Sequence, residues 1–221
     1  MLLSLMGVLG VDVLDWICIA RSWRRAESVV KPVSLALLIA WFTLVGGWRG
    51  PLFWFGLALV FSLLGDIFLL KIVDRFILGL AAFLLAHLSY LVGFNSPLPT
   101  LTLPYLGLAL LGVAIMGIVY PVIRSGLMRQ EGGAALRLPV FIYSLVLALM
   151  MLSAVSTLFR PGWKPTAAIL AATGGVLFLI SDTILAIGRF VRPLRYGDLL
   201  VMITYHLGQI GLAAGAILNF A

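Results

Sequence analysis

Apolar residues run through this chain in eight long blocks, near 2–20, 32–48, 52–70, 76–94, 103–123, 138–158, 166–188 and 199–220. A helix that crosses a bilayer needs about 20 mostly apolar residues. The pattern therefore predicts an all-α membrane protein: one domain over 1–221, built as a bundle of eight transmembrane helices. The blocks take up most of the sequence, so no room remains for a soluble domain. Period-2 alternation is absent, which argues against a membrane β-barrel.

Polar residues inside the blocks are few, and two stand out. Asp66 lies in FSLLGDIFLL and Asp182 in LFLISDTILA. A carboxylate within a span costs roughly +2.5–3.5 kcal/mol on insertion scales, so each is a candidate functional residue. Counted from the span ends at 1.5 Å per residue, Asp66 falls about 7–8 Å and Asp182 about 10 Å from the basic end of the bundle. By the same count Asp15 falls near 9 Å, His206 near 12 Å and His87 near 18 Å. The estimates gather in or near one half of the membrane.

The two stretches also form an internal repeat. FSLLGDIFLLKIVDRF at 61–76 resembles LFLISDTILAIGRF at 177–190, and each half runs on into a span with His and Tyr: His87 and Tyr90, then Tyr205 and His206. The offset is four helices, which predicts a parallel 4+4 repeat about an axis along the membrane normal.

Composition agrees with this picture and charge refines it. Of 221 residues, 63% are hydrophobic and only 10% charged, against about a quarter charged in soluble domains. The net charge of +7 would suggest nucleic acid in a soluble protein, but its placement does not. Twelve Lys/Arg lie in the connections after the first, third, fifth and seventh spans, and three (Arg49, Arg160, Lys164) on the other side. The positive-inside rule puts the basic loops in the cytoplasm and both termini outside, with no nucleic-acid partner. The expected location is a bacterial inner (plasma) membrane, spanned many times.

The first span has no basic stretch before it and carries Asp12 and Asp15, which reads as a retained helix and not a cleaved signal. Cys18 is the only cysteine, so intramolecular disulfides are excluded. Pro32, Pro51, Pro139 and Pro165 are expected near helix starts. The longest loop is expected at 124–137.

The bland reading of Asp66 and Asp182 is a pairing with Lys71 and Arg189 that holds helices together. Asp12 and Asp15 share a face at i, i+3 and fit either a pairing with Lys31 or a place lining a cavity. His87, His206, Tyr90 and Tyr205 fit plain packing. The sharper reading is acid–base hydrolysis: one carboxyl donates a proton while the other stays ionised, as in glycosidases. No GxSxG elbow is present. A Ser–His–Asp set would have to be assembled from Ser62 or Ser181. A zinc site from the two His and two Asp residues is a further alternative.

In order along the chain stand Lys31-Pro32, Phe61-Ser62-x-x-Gly65-Asp66, Gly79-x-x-x-Phe83-x-x-x-His87-x-x-Tyr90, Phe178-x-x-Ser181-Asp182 and Thr204-Tyr205-x-x-x-Gln209. This ordered set resembles the YhhN family of eight-span membrane proteins, which includes the lysoplasmalogenases. It departs at His206, where many members carry a second Tyr. Asp12 and Asp15 match no part of the family pattern. The resemblance implies a hydrolase that cleaves the vinyl-ether bond of a lysoplasmalogen, giving a fatty aldehyde and a glycerophospho-ethanolamine or -choline. It implies Asp66 and Asp182 as the catalytic pair and no cofactor. Lys31, His87, Tyr90, Arg189, Tyr205 and Gln209 would bind or orient the substrate, with Lys31 and Arg189 on the head-group phosphate. The partners implied are a lysophospholipid and membrane lipids. The rival readings are a non-enzymatic transporter or lipid-binding protein, and a metal-dependent lipid hydrolase.

Overall fold

The computed structural model describes residues 2–100 and 102–221. Leu101, between the fourth and fifth apolar blocks, lies outside them. The described residues form eight α-helices and no strand: α1 (Leu2–Ala20), α2 (Arg24–Val45), α3 (Pro51–Leu69), α4 (Phe76–Phe94), α5 (Leu103–Leu127), α6 (Gly133–Ser156), α7 (Pro165–Ala186) and α8 (Gly197–Phe220). A π-helical turn, Ile187–Val191, extends α7. Seven helices, α2 to α8, are long and apolar enough to cross a membrane. The protein is an integral, multi-pass membrane protein.

Two helices begin earlier than their apolar blocks. α2 opens at Arg24 and α6 at Gly133, so Pro32 and Pro139 lie inside helices, as does Pro121 in α5. Neighbouring helices and local backbone adjustment let membrane helices absorb such prolines. Pro51 and Pro165 do open their helices, where no N–H is missed. The early start of α6 and the length of α5 also shrink the loop expected at 124–137 to Met128–Gly132.

The tightest packing is within two hairpins, α3–α4 and α7–α8. Small residues make this possible, because two backbones can then touch. On α7, Ala167, Ala171 and Gly174 face Gly208, Gly211 and Gly215 of α8. A Cβ on Gly174 would stand 2.6 Å from the Leu212 nitrogen. In α3–α4, a Cβ on Gly65 would stand 2.6 Å from the Phe83 ring. Gly65 therefore packs against α4. Ser181 donates its hydroxyl to the Val201 carbonyl on α8 at 3.0 Å. The small neighbours of the two aspartates seat each helix in its own hairpin; they do not bring α3 against α7. Those two helices make no substantial contact, and α8 packs on both.

The interior is partly polar and the exterior apolar. Asp12, Asp15, Asp66, His87, His206 and Gln209 are all buried, while Leu44, Leu103, Val113 and Ile118 are exposed. This inversion suits a hydrocarbon solvent, in which polar groups must find partners inside the bundle.

At the end opposite the basic loops, Arg160 fastens the connections. It donates Nε to the Tyr105 hydroxyl at 2.9 Å and Nη2 to Asn95 at 3.0 Å and Ser156 at 2.5 Å; Nη1 reaches the Phe94 carbonyl. Hydrogen bonds to charged groups contribute about 1.5–3 kcal/mol each. With water able to replace part of them, Arg160→Ala is expected to lower stability by about 2–4 kcal/mol, read as thermal unfolding in detergent.

Candidate active site

The α1–α2, α3–α4 and α7–α8 ends converge on a cavity of about 740 Å³. Its lining includes Lys31, Asp66, Lys71, Asp74, Ser181, Asp182, Arg189, Asp198 and Tyr205. Both aspartates singled out from the sequence thus open onto one space, at the end of the bundle that carries the basic connections.

Each carboxylate is held by two partners. Asp66, on α3, accepts a hydrogen bond from the Tyr205 hydroxyl at 2.7 Å and pairs with the Lys31 ammonium at 3.1 Å. Asp182, on α7, accepts one from the Tyr143 hydroxyl, and its Oδ2 lies 3.3 Å from His87 Nε2. His87 Nε2 also lies 3.1 Å from the Tyr143 oxygen, closing a three-membered cluster. The partners of Asp66 come from α2 and α8, those of Asp182 from α6 and α4.

Aromatic rings bind the two clusters into one unit. Phe178 packs edge-on to His87, centroids 4.8 Å apart, and to Tyr205, 5.4 Å apart. Phe83 packs against Phe178 and Tyr205. Rings of this kind fix side chains through specific edge-to-face geometry. Deeper still, the buried Tyr90 hydroxyl donates to Gln209 Oε1 at 2.5 Å. Tyr90 and Gln209 form a layer behind Tyr205 and do not line the cavity.

The pairing of the acids with Lys71 and Arg189, the bland reading, is not what the fold makes. Lys71 pairs with Asp198 at 2.6 Å, and Arg189 lies 3.9 Å from Asp74 and over the Phe76 ring. The reason is depth. Lys71 and Arg189 sit past the ends of α3 and α7, in the turns, where carboxylates of the neighbouring turns reach them first. Lys31 is one helix over from Asp66 but level with it.

Asp12 and Asp15 do not take Lys31 as an ion-pair partner either. Asp12 receives the Ser34 hydroxyl and lies 3.4 Å from His206 Nδ1, to which Trp16 donates its indole N–H at 3.1 Å. Both oxygens of Asp15 are buried without a hydrogen-bond partner among the described residues. This second polar cluster joins α1, α2 and α8 and does not line the cavity.

The geometry also separates the rival chemistries. The two histidines lie in different clusters, and among the described residues no three His, Cys, Asp or Glu side chains gather to hold a metal ion. Ser181 is bound to backbone, and the buried Ser62 hydroxyl has no hydrogen-bond partner among the described residues. Neither hydroxyl is hydrogen-bonded to a histidine.

Tyr143 was not singled out in the sequence. A tyrosine in the apolar run VFIYSLVL reads as packing. The one weak signal for it is the expected repeat, under which α6 would stand to Asp182 as α2, the helix of Lys31, stands to Asp66.

The comparisons agree with the motif reading. The YhhN family model matches residues 26–216. Lysoplasmalogenase TMEM86B of Sus scrofa is 33% identical over 192 residues, 86% of this chain and 74% of its own. The Mus musculus protein of the same name is 31% identical over 205 residues, 92% of this chain and 80% of its own. The Homo sapiens protein is 32% identical over 162 residues, 72% of this chain, which spans 62% of the human protein's length. No solved structure matches the chain. With the matched region running from α2 through most of α8 and enclosing both carboxylate clusters, the chain belongs to the YhhN family.

Proposed function

We propose that this protein is a membrane-embedded lysoplasmalogenase-type ether hydrolase, with Asp66 and Asp182 as its catalytic carboxylates. The observation that carries the reading is that both open onto one polar cavity, each fixed by a tyrosine hydroxyl and a basic side chain. The relatives named lysoplasmalogenase support the substrate class.

The substrate bond is R–O–CH=CH–R′. An acid adds a proton to the carbon beyond the ether-bearing one, leaving an oxocarbenium ion. Water attacks the cationic carbon and gives up a proton, forming a hemiacetal. The hemiacetal loses its hydroxyl proton, its C–O bond to glycerol breaks, and the glycerol oxygen takes a proton. The net reaction adds one water and yields an aldehyde and an alcohol, with no redox change. The Lys31 ion pair gives Asp66 the part of the ionised carboxylate, stabilising the cation and receiving the proton from water. Asp182, held by a phenol and an imidazole, is the proton donor. His87 and Tyr143 fix its orientation. Tyr205 fixes Asp66, and Tyr90 with Gln209 support the wall behind it. Lys31 and Arg189 supply cationic hydrogen-bond donors for the head-group phosphate.

The same reading places the cavity mouth at the cytoplasmic leaflet, with α1 as an eighth span and both termini outside, in a bacterial inner membrane. The reciprocal partners of the two aspartates support the parallel 4+4 repeat: α2 and α8 serve α3 as α6 and α4 serve α7. Purified protein is expected to release fatty aldehyde from lysoplasmalogen with no metal added and with chelator present. Proton-coupled uptake into liposomes with no aldehyde formed would instead identify a transporter. Loss of turnover with chelator, restored by zinc, would identify a metal enzyme.

A further inference from the structure

A second, smaller space adjoins the polar cavity at Asp182. It is a crevice of about 60 Å³ between α4, α5, α6 and α7, walled chiefly by Leu80, Met116, Val119, Leu147, Ala148 and Leu179. The two spaces share a wall: Leu69, Phe83, Asp182, Leu185 and Arg189 line both. They differ in kind, since one is wide and ringed with charges while the other is narrow and apolar. Asp182 lies at the junction, and Asp66 lines the cavity alone.

The wall of the crevice is loosest at α5. This helix follows α4 in sequence but does not pack along it; α4 packs on α6 instead. α5 rests on α6 and the π-helical turn, and Leu106, Leu110, Val113 and Ile118 on it are exposed. It is the least buried of the seven apolar spans.

We propose that this crevice holds the single hydrocarbon chain of the lysolipid, with the first carbons of the chain at Asp182. The inference rests on the reading of the larger cavity as the reaction site. A lysoplasmalogen has a charged head and one linear chain, and its vinyl-ether bond lies where the two meet. A site for it requires a polar room joined to an apolar slot, with a proton donor at the join. The two spaces lie side by side with Asp182 facing both, which meets that requirement. The slot reads chain length by burying methylenes, and the looseness of α5 gives the chain a side entrance from the bilayer.

The test is kcat/KM over a series of lysoplasmalogens that differ only in alkenyl length. Met116→Trp fills the slot from the least embedded helix, and Val119→Ala widens it from the same helix. Displacing two methylenes from apolar contact corresponds to roughly tenfold in kcat/KM. Met116→Trp is expected to lower kcat/KM for the longest chains by about that factor while sparing the shortest, and Val119→Ala to shift the optimum to longer chains. An equal loss at every length, or an unchanged profile in both variants, would overturn the proposal. Wild-type protein that turns over no member of the series would remove the activity reading instead. Photolabelling then decides on the crevice, using a lysophospholipid with a diazirine at its chain terminus. Label on the facing residues of α4, α5 or α6 supports the proposal. Label confined to α1 or α2, or label lost equally to competing two-chain phospholipid, overturns it.

Discussion

Asp182→Asn is expected to lower aldehyde release from lysoplasmalogen by about 10²–10⁴-fold, the usual contribution of a positioned general acid. The change is isosteric. The new amide oxygen still accepts the Tyr143 hydrogen bond, so the cluster keeps its shape and the loss reports chemistry. An amide cannot deliver a proton to carbon. Asp66→Asn is expected to act on the same scale for a different reason: in the proposed mechanism it removes the charge that would face the developing cation, and it leaves the Lys31 ammonium unpaired. Size-exclusion profiles in detergent should match the wild type for both variants. Asp12→Asn is the control, since Asp12 lines no part of the cavity, and its turnover should stay close to wild type. Near-normal turnover in either Asp66→Asn or Asp182→Asn would remove the carboxylate-pair mechanism.

The largest stability effect is expected at the α7–α8 seam. Gly174→Leu should cost more than about 3 kcal/mol, beyond the usual range for overpacking. What a side chain would meet there is the backbone of α8, the Leu212 nitrogen at 2.6 Å and the Gly208 carbonyl at 2.8 Å. Backbone cannot swing aside as a rotamer can. Parting the helices would also shift Tyr205 and Ser181, so activity should fall along with the unfolding temperature. Gly107→Leu and Gly117→Leu should be nearly neutral, because no atom lies within 4 Å of a Cβ at either position. Thermal unfolding of all three variants in one detergent makes the comparison.

Much of this arrangement was legible in the residues, for identifiable reasons. Helices α3 and α4 came out within a residue of their apolar blocks because turn residues and prolines mark their ends. Asp66 and Asp182 were legible because a lone carboxylate in a span has few cheap explanations. The starts of α2 and α6 were not, since a proline that usually opens a helix lies inside one when neighbouring helices hold the backbone. The partners of the carboxylates were hidden as well. Lys71 is five residues from Asp66 and Lys31 thirty-five, yet depth and not sequence distance decides which ammonium arrives. Tyr143 carries no local mark at all, because its role exists only once α6 lies against α4 and α7. The bond from Trp16 to His206 joins the first helix to the last, and no periodicity foretells a contact across 190 positions.

The crossed partnership of the two carboxylate clusters makes each part of the chain dependent on the other. Residues 1–94 contain Asp66 but lack Tyr205; residues 103–221 contain Asp182 but lack His87. Neither half has a complete set of ligands for its own acid, while each holds the group the other is missing. Cutting the chain between residues 94 and 103 would therefore strip each carboxylate of one partner: Asp66 would lose the Tyr205 hydroxyl and Asp182 would lose His87. Neither piece could rebuild its own polar cluster without the other lying beside it.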